Sequence, residues 1–152
     1  MDAVSNLLPA GAFPKFLLFV GVAAVYNSVQ CFVPKMRLTH RIYANKPKEA
    51  TALAARLMGL WTFTSAIIRV YTAYDMSNPA LYQLCMLTFS LALFGFLGEV
   101  FVHKTAPMTS PGVFPAILIS SCSLGYMILN YSQYVVVAAT GYANGAGTHS
   151  DL

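Results

Sequence analysis

The residues able to do chemistry in this chain are few and far apart. The histidines His40, His103 and His149 lack the short clustered spacing that a membrane di-iron oxygenase needs. Cys31, Cys85 and Cys122 each fall inside a hydrophobic run with no C-x-x-C spacing. A disulfide framework or zinc site is therefore not expected, and the three read as small buried hydrophobes. Ser120, Ser121 and Ser123 have no histidine at comparable depth, which argues against a serine nucleophile. No glycine-rich dinucleotide loop and no phosphate loop is present. Glu99 could serve as half of an acid–base pair, but its expected neighbour Arg56 suits a structural ion pair better. The reading is a chain with no catalytic residue, no metal and no cofactor of its own.

The elements that carry these residues follow from composition. Of 152 residues, 57% are hydrophobic and 9% charged, with a mean hydropathy of +0.62. A soluble domain carries roughly 25% charged residues, so too little polar material is present for a wetted surface. Apolar segments at residues 14–33, 51–74, 80–102 and 113–131 or beyond approach the roughly 20 residues that a helical span requires. Helices are the expected form, because backbone groups in lipid must pair within the segment. The fold class is an all-α membrane protein, a four-transmembrane-helix bundle. One domain is expected over residues 1–139, followed by a glycine-rich disordered tail over 140–152. The first run exceeds a signal-peptide core of roughly 7–15 residues and is expected to be retained.

"DMSNPA" supplies a tight turn, so the second and third spans form an antiparallel hairpin. The connection before the second span carries Lys35, Arg37, Arg41, Lys46 and Lys48 against Glu49, and His103 and Lys104 follow the third span. The positive-inside tendency puts both connections in the cytosol and both termini on the far side. Topology alone explains such a basic cluster, so no nucleic acid is expected as a partner, whereas anionic membrane lipid is.

Folding the hairpin about Ser77 and Asn78 sets residues at matched depth. Arg56 then lies opposite Gly98 and Glu99, with Asn27 and Gln30 of the first span at a similar level. These four form an expected polar layer in which Arg56 and Glu99 pair. Arg69 falls level with Gln83 and Cys85 and is expected to snorkel towards Asp75 or the headgroups. Tyr71, Tyr74 and Tyr82 fit an interfacial belt, while Trp61 is expected to pack against another helix. Ala55-x-x-x-Gly59, Ser121-x-x-x-Gly125 and Gly95-x-x-Gly98 have the spacing of close helix contacts.

"IYANKP", "ARLMGLWTFTSAIIRVYTAYDMSNPALYQL" and "LTFSLALFGFLGEVFVHKTA" resemble the ergosterol biosynthetic protein 28 family of small endoplasmic-reticulum membrane proteins. The resemblance runs from about Ala23 to Ala106. Its most specific elements are Arg56, Gly59, Trp61 and Thr62, the Arg69 to Asp75 stretch, Tyr82, Thr88, the Phe96, Glu99 and Phe101 run, and Thr105. It implies a non-catalytic scaffold that holds a sterol C-4 methyl oxidase, a decarboxylating sterol dehydrogenase and a 3-keto-sterol reductase together. Iron and nicotinamide chemistry would then belong to those partners. Asn27, Gln30, Arg56, Gly59, Trp61, Thr62, Arg69, Asp75, Tyr82 and Glu99 are the candidate partner-binding residues. A sterol-binding or isomerase-like enzyme using Glu99 is the alternative, and a homo-oligomer is compatible with either.

Overall fold

The computed structural model describes residues 8–135, and these form a helical bundle. Helix α1 is Ala12–Phe32, the short α2 is Leu38–Ile42, and α3 is Ala52–Tyr74. Helix α4 is Pro79–Leu97 and runs on through a π-helical turn at Gly98–Val102; α5 is Val113–Leu129. The expected tail, and any extension of the last span to Ala139, lie outside the described residues.

Local chemistry explains the helix starts. The Thr51 hydroxyl accepts from the Ala54 amide at 3.2 Å, capping α3. Asn78 accepts from the Ala80 and Leu81 amides at 3.1 and 3.3 Å, with Pro79 opening α4. The Ser77 hydroxyl donates to the Asp75 carboxylate at 2.9 Å and closes the turn between α3 and α4. The anticipated hairpin is therefore present.

Among the described residues, three helices are long and apolar enough to cross a membrane: α1, α3, and α4 with its π-helical turn. Helix α5 is apolar but has 17 residues, the lower limit for a span. It stops where the Asn130 side chain donates back to the Tyr126 carbonyl at 2.8 Å, and residues 131–135 are helical again.

Packing is inverted relative to a soluble bundle. Helix α3 buries Gly59, Ser65, Ala66, Arg69, Thr72 and Ala73. It turns Leu53, Leu57, Leu60, Phe63 and Ile67 outwards. In lipid the outer face is already solvated by hydrocarbon, so helices meet through small residues and short polar contacts. Such a pattern fits a multi-pass membrane protein.

Helices α1 and α3 make the tightest contact, through a glycine from each. A Cβ on Gly21 would lie 2.8 Å from Val70 Cγ2, and one on Gly59 would lie 2.8 Å from Phe32 Cε2 and 3.0 Å from Cys31 Cβ. The Ser28 hydroxyl donates to the Gly59 carbonyl at 2.7 Å, a buried bond across the same seam. Gly59→Ala is expected to cost about 1–3 kcal/mol through overpacking, measurable as a lower unfolding midpoint in detergent. By contrast, a Cβ on Gly95, Gly98 or Gly125 would meet nothing within 4 Å. The expected close contacts at the latter two motifs do not form, because those glycines point away from neighbouring helices.

The connections on either side of the hairpin are stitched together. The Asn45 amide donates to the Thr105 carbonyl at 3.1 Å, and its side chain donates to the Lys104 carbonyl at 3.3 Å. The Ser110 hydroxyl donates to the Arg41 carbonyl at 2.9 Å. Beneath these bonds, Ile42, Ala106 and Val113 form a small buried cluster. The two connections share one face of the bundle, as the topology required.

Candidate functional site

The candidate residues separate into an exposed band on the outer face, a staple at the stitched connections and a buried polar core. Glu99 is the second residue of the π-helical turn. Its carbonyl accepts from the Thr105 amide at 2.9 Å, and its carboxylate accepts from the Thr105 hydroxyl. Lys104 takes a left-handed conformation at φ 54, which reverses the chain after the helix so that Thr105 can reach back. Tyr43 sits close by, its hydroxyl 3.8 Å from Met58 Sδ. Burial, then the Glu99 charge and then Cys31 push the Tyr43 pKa above its ordinary value.

The expected Arg56–Glu99 ion pair does not form. Among the described residues the salt bridge is Lys46–Glu49 at 3.5 Å. Arg56 is exposed on the outside of α3, Asn27 is exposed on α1, and Gln30 is half-buried. No hydrogen bond or ion pair joins the four expected members of the polar layer. Matched depth alone did not bring them together, because their directions around the helix axes differ. Thr62 is half-buried, whereas Trp61 is 45% exposed, facing outwards with Leu57 and Leu60 instead of into a neighbouring helix. Gly59 serves the α1–α3 seam, and Asp75 is an exposed turn residue.

Arg69 does not snorkel. It is 8% exposed, and its guanidinium carbon lies 4.3 Å from the centre of the Phe89 ring. Its Nε has no hydrogen-bond partner among the described residues. The ring face offers a buried cation some electrostatic compensation, about 0.5–2 kcal/mol, far less than a carboxylate would. Thr72, Cys85 and Thr88 are also buried near this level, and the Thr72 hydroxyl donates to the Ile68 and Leu81 carbonyls at 2.8 and 3.2 Å.

Tyr82 is fully buried, not interfacial, and its hydroxyl donates to the Met127 carbonyl at 2.9 Å, tying α4 to α5. The Tyr131 ring packs edge-on against it at 5.5 Å. Phe13 stacks on Tyr126 at 4.2 Å and joins the start of α1 to α5. Tyr71 and Tyr74 face outwards as expected of a belt.

Sequence reasoning missed Phe89, Ser28 and Gly21. Phe89 could have been found: it lies one turn beyond Cys85, the residue set level with Arg69. Ser28 and Gly21 carry no signal beyond being small residues on one face of α1.

The assembled geometry holds an exposed cation and indole on an apolar outer face, a stapled carboxylate, and a buried guanidinium resting on a ring. These groups suit adhesion between helices within a bilayer. The chain matches the family model described as Erg28 like protein over residues 13–125. It is 36% identical over 131 residues to Ergosterol biosynthetic protein 28 of Saccharomyces cerevisiae, covering 86% of this chain and 88% of that relative. The Schizosaccharomyces pombe protein of the same name is 37% identical over 139 residues, covering 91% of this chain and all of the relative. The Homo sapiens Ergosterol biosynthetic protein 28 homolog is 36% identical over 114 residues, covering 75% of this chain and 81% of the relative. No solved structure matches the chain. A match across most of the bundle, with fungal and mammalian relatives aligned over most of their lengths, means that the chain belongs to the Erg28-like family.

Proposed function

We propose that this protein is a non-catalytic scaffold of ergosterol biosynthesis in the endoplasmic-reticulum membrane. It tethers the sterol C-4 methyl oxidase, the decarboxylating sterol dehydrogenase and the 3-keto-sterol reductase. Family membership across residues 13–125 is the observation that carries this reading, since the relatives are named for ergosterol biosynthesis. The outer face of α3 supports it. An exposed cation, Arg56, stands there among Leu57, Leu60 and Trp61. Just over one turn into α3, near the membrane interface, it bears less than the about 2.5–3.5 kcal/mol that a charge costs at bilayer centre, and a polar group on a partner helix would satisfy it.

Affinity capture of the full chain from detergent-solubilised membranes tests the reading. All three enzymes should co-elute, and Arg56→Ala should reduce their recovery several-fold at unchanged protein level. Glu99→Ala should act in the same direction by loosening the Thr105 staple. Unchanged recovery for both variants would remove these residues as assembly determinants. Turnover of a sterol intermediate by the purified chain alone, lost in Glu99→Gln, would replace the scaffold with an enzyme.

A further inference from the structure

We propose that the interior of the bundle binds one small monovalent anion of the chloride class, held between Arg69 of α3 and Ser123 of α5. Among the described residues, the buried side-chain polar atoms without a hydrogen-bond partner are Arg69 Nε and Ser123 Oγ. Arg69 is 8% exposed and Ser123 is 1% exposed.

Helix register brings the two residues to one layer. The bond from Tyr82 to the Met127 carbonyl fixes α4 against α5. One turn further along α4 stands Cys85, and two turns further stands Phe89, on whose ring the Arg69 guanidinium rests. Helix α5 runs the opposite way, so one turn back from Met127 brings Ser123 level with Cys85. Ile119 and Leu124, on either side of Ser123 in sequence, pack against the cluster that contains Cys85 and Phe89.

Charge selects the class of ligand. Among the described residues no carboxylate forms an ion pair with Arg69: Glu49 is engaged by Lys46, Asp75 by Ser77 and Glu99 by Thr105. The hydroxyls of Thr72 and Thr88 donate to main-chain carbonyls. The Phe89 ring compensates part of the charge but leaves Nε without an acceptor. A bridging water would satisfy both atoms and leave the buried cation without a counter-charge. An anion accepts from both groups and neutralises the guanidinium as well.

Burial sets the size. Two groups so enclosed admit a species of very few atoms, which excludes a sterol or a phospholipid headgroup. The inference stands apart from the scaffold reading, and partner capture has no place in its test.

The test uses the full chain in detergent micelles, with chloride exchanged for gluconate at constant ionic strength. Binding is read from broadening of the chloride NMR line, and stability from the unfolding midpoint. The parent should show saturable broadening and a midpoint that rises with chloride. Arg69→Met should lose both responses. It should melt above the parent in gluconate, and chloride should narrow that gap, which a merely structural arginine would not do. Ser123→Ala should weaken the apparent chloride affinity about tenfold, the scale of one hydrogen bond to a charged group. A parent indifferent to chloride would overturn the anion and leave the two atoms to a buried water. Equal responses in the parent and Arg69→Met would overturn the site, and an unchanged affinity in Ser123→Ala would overturn the pairing of the two residues.

Discussion

Phe89→Ala will destabilise the bundle by roughly 3–5 kcal/mol, the cost of truncating a buried phenylalanine. Phe89 is fully buried within the cluster that contains Leu17, Tyr82, Cys85 and Met127, so no neighbour can fill the void without moving a helix. The same substitution strips Arg69 of the ring on which it rests. Phe89→Leu separates these effects, since it keeps most of the apolar volume and loses the aromatic face. In a double-mutant cycle, Arg69→Met should reduce the cost of Phe89→Leu by the strength of the cation–ring contact, about 0.5–2 kcal/mol. Unfolding midpoints in detergent supply all four corners. Full additivity would mean that the contact carries no energy.

Arg69→Met will raise stability and lower partner recovery together. Methionine matches the length of the arginine stem and fills irregular apolar space. Replacing even a buried ion pair by apolar side chains of similar volume is often neutral or stabilising, by about 1–4 kcal/mol, and within the chain Arg69 has only the Phe89 ring to lose. Part of that gain is offset by the lost ring contact, so a net rise of about 1–2 kcal/mol is expected. Under the scaffold proposal, the guanidinium is retained for partners at the expense of the isolated chain. Affinity capture with Arg69→Met should therefore recover several-fold less of the sterol enzymes from a more heat-resistant bait. A destabilised variant with unchanged capture would make Arg69 a purely internal support.

Much of the backbone was legible beforehand, and the reasons are local. Asn78 and Pro79 are strong helix-start residues with a physical mechanism, and the uninterrupted apolar runs leave little alternative to helices in lipid. The side-chain constellation was only half legible. Antiparallel folding predicts depth, and depth correctly brought Arg69 near Cys85. It says nothing of direction around the helix, which is why Arg56 and Glu99 share no bond and Trp61 faces outwards. Tyr82 was misplaced for a related reason. A tyrosine near a helix start satisfies the belt rule equally well whether it faces headgroups or, as here, the Met127 carbonyl of α5. The Thr105 staple depends on a left-handed residue at Lys104, which no local pattern announced.

The π-helical turn at Gly98–Val102 has a mechanical consequence. A wider ring accommodates one residue more than an α-helical turn, and each residue of an α-helix advances roughly 100° around the axis. Without that surplus, everything beyond Glu99 would be swung by nearly a third of a revolution. The carbonyls of Lys104 and Thr105 would then face away from Asn45. The irregularity thus acts as a fixed angular offset, a spacer that indexes the exit of one membrane rod against the loop of another.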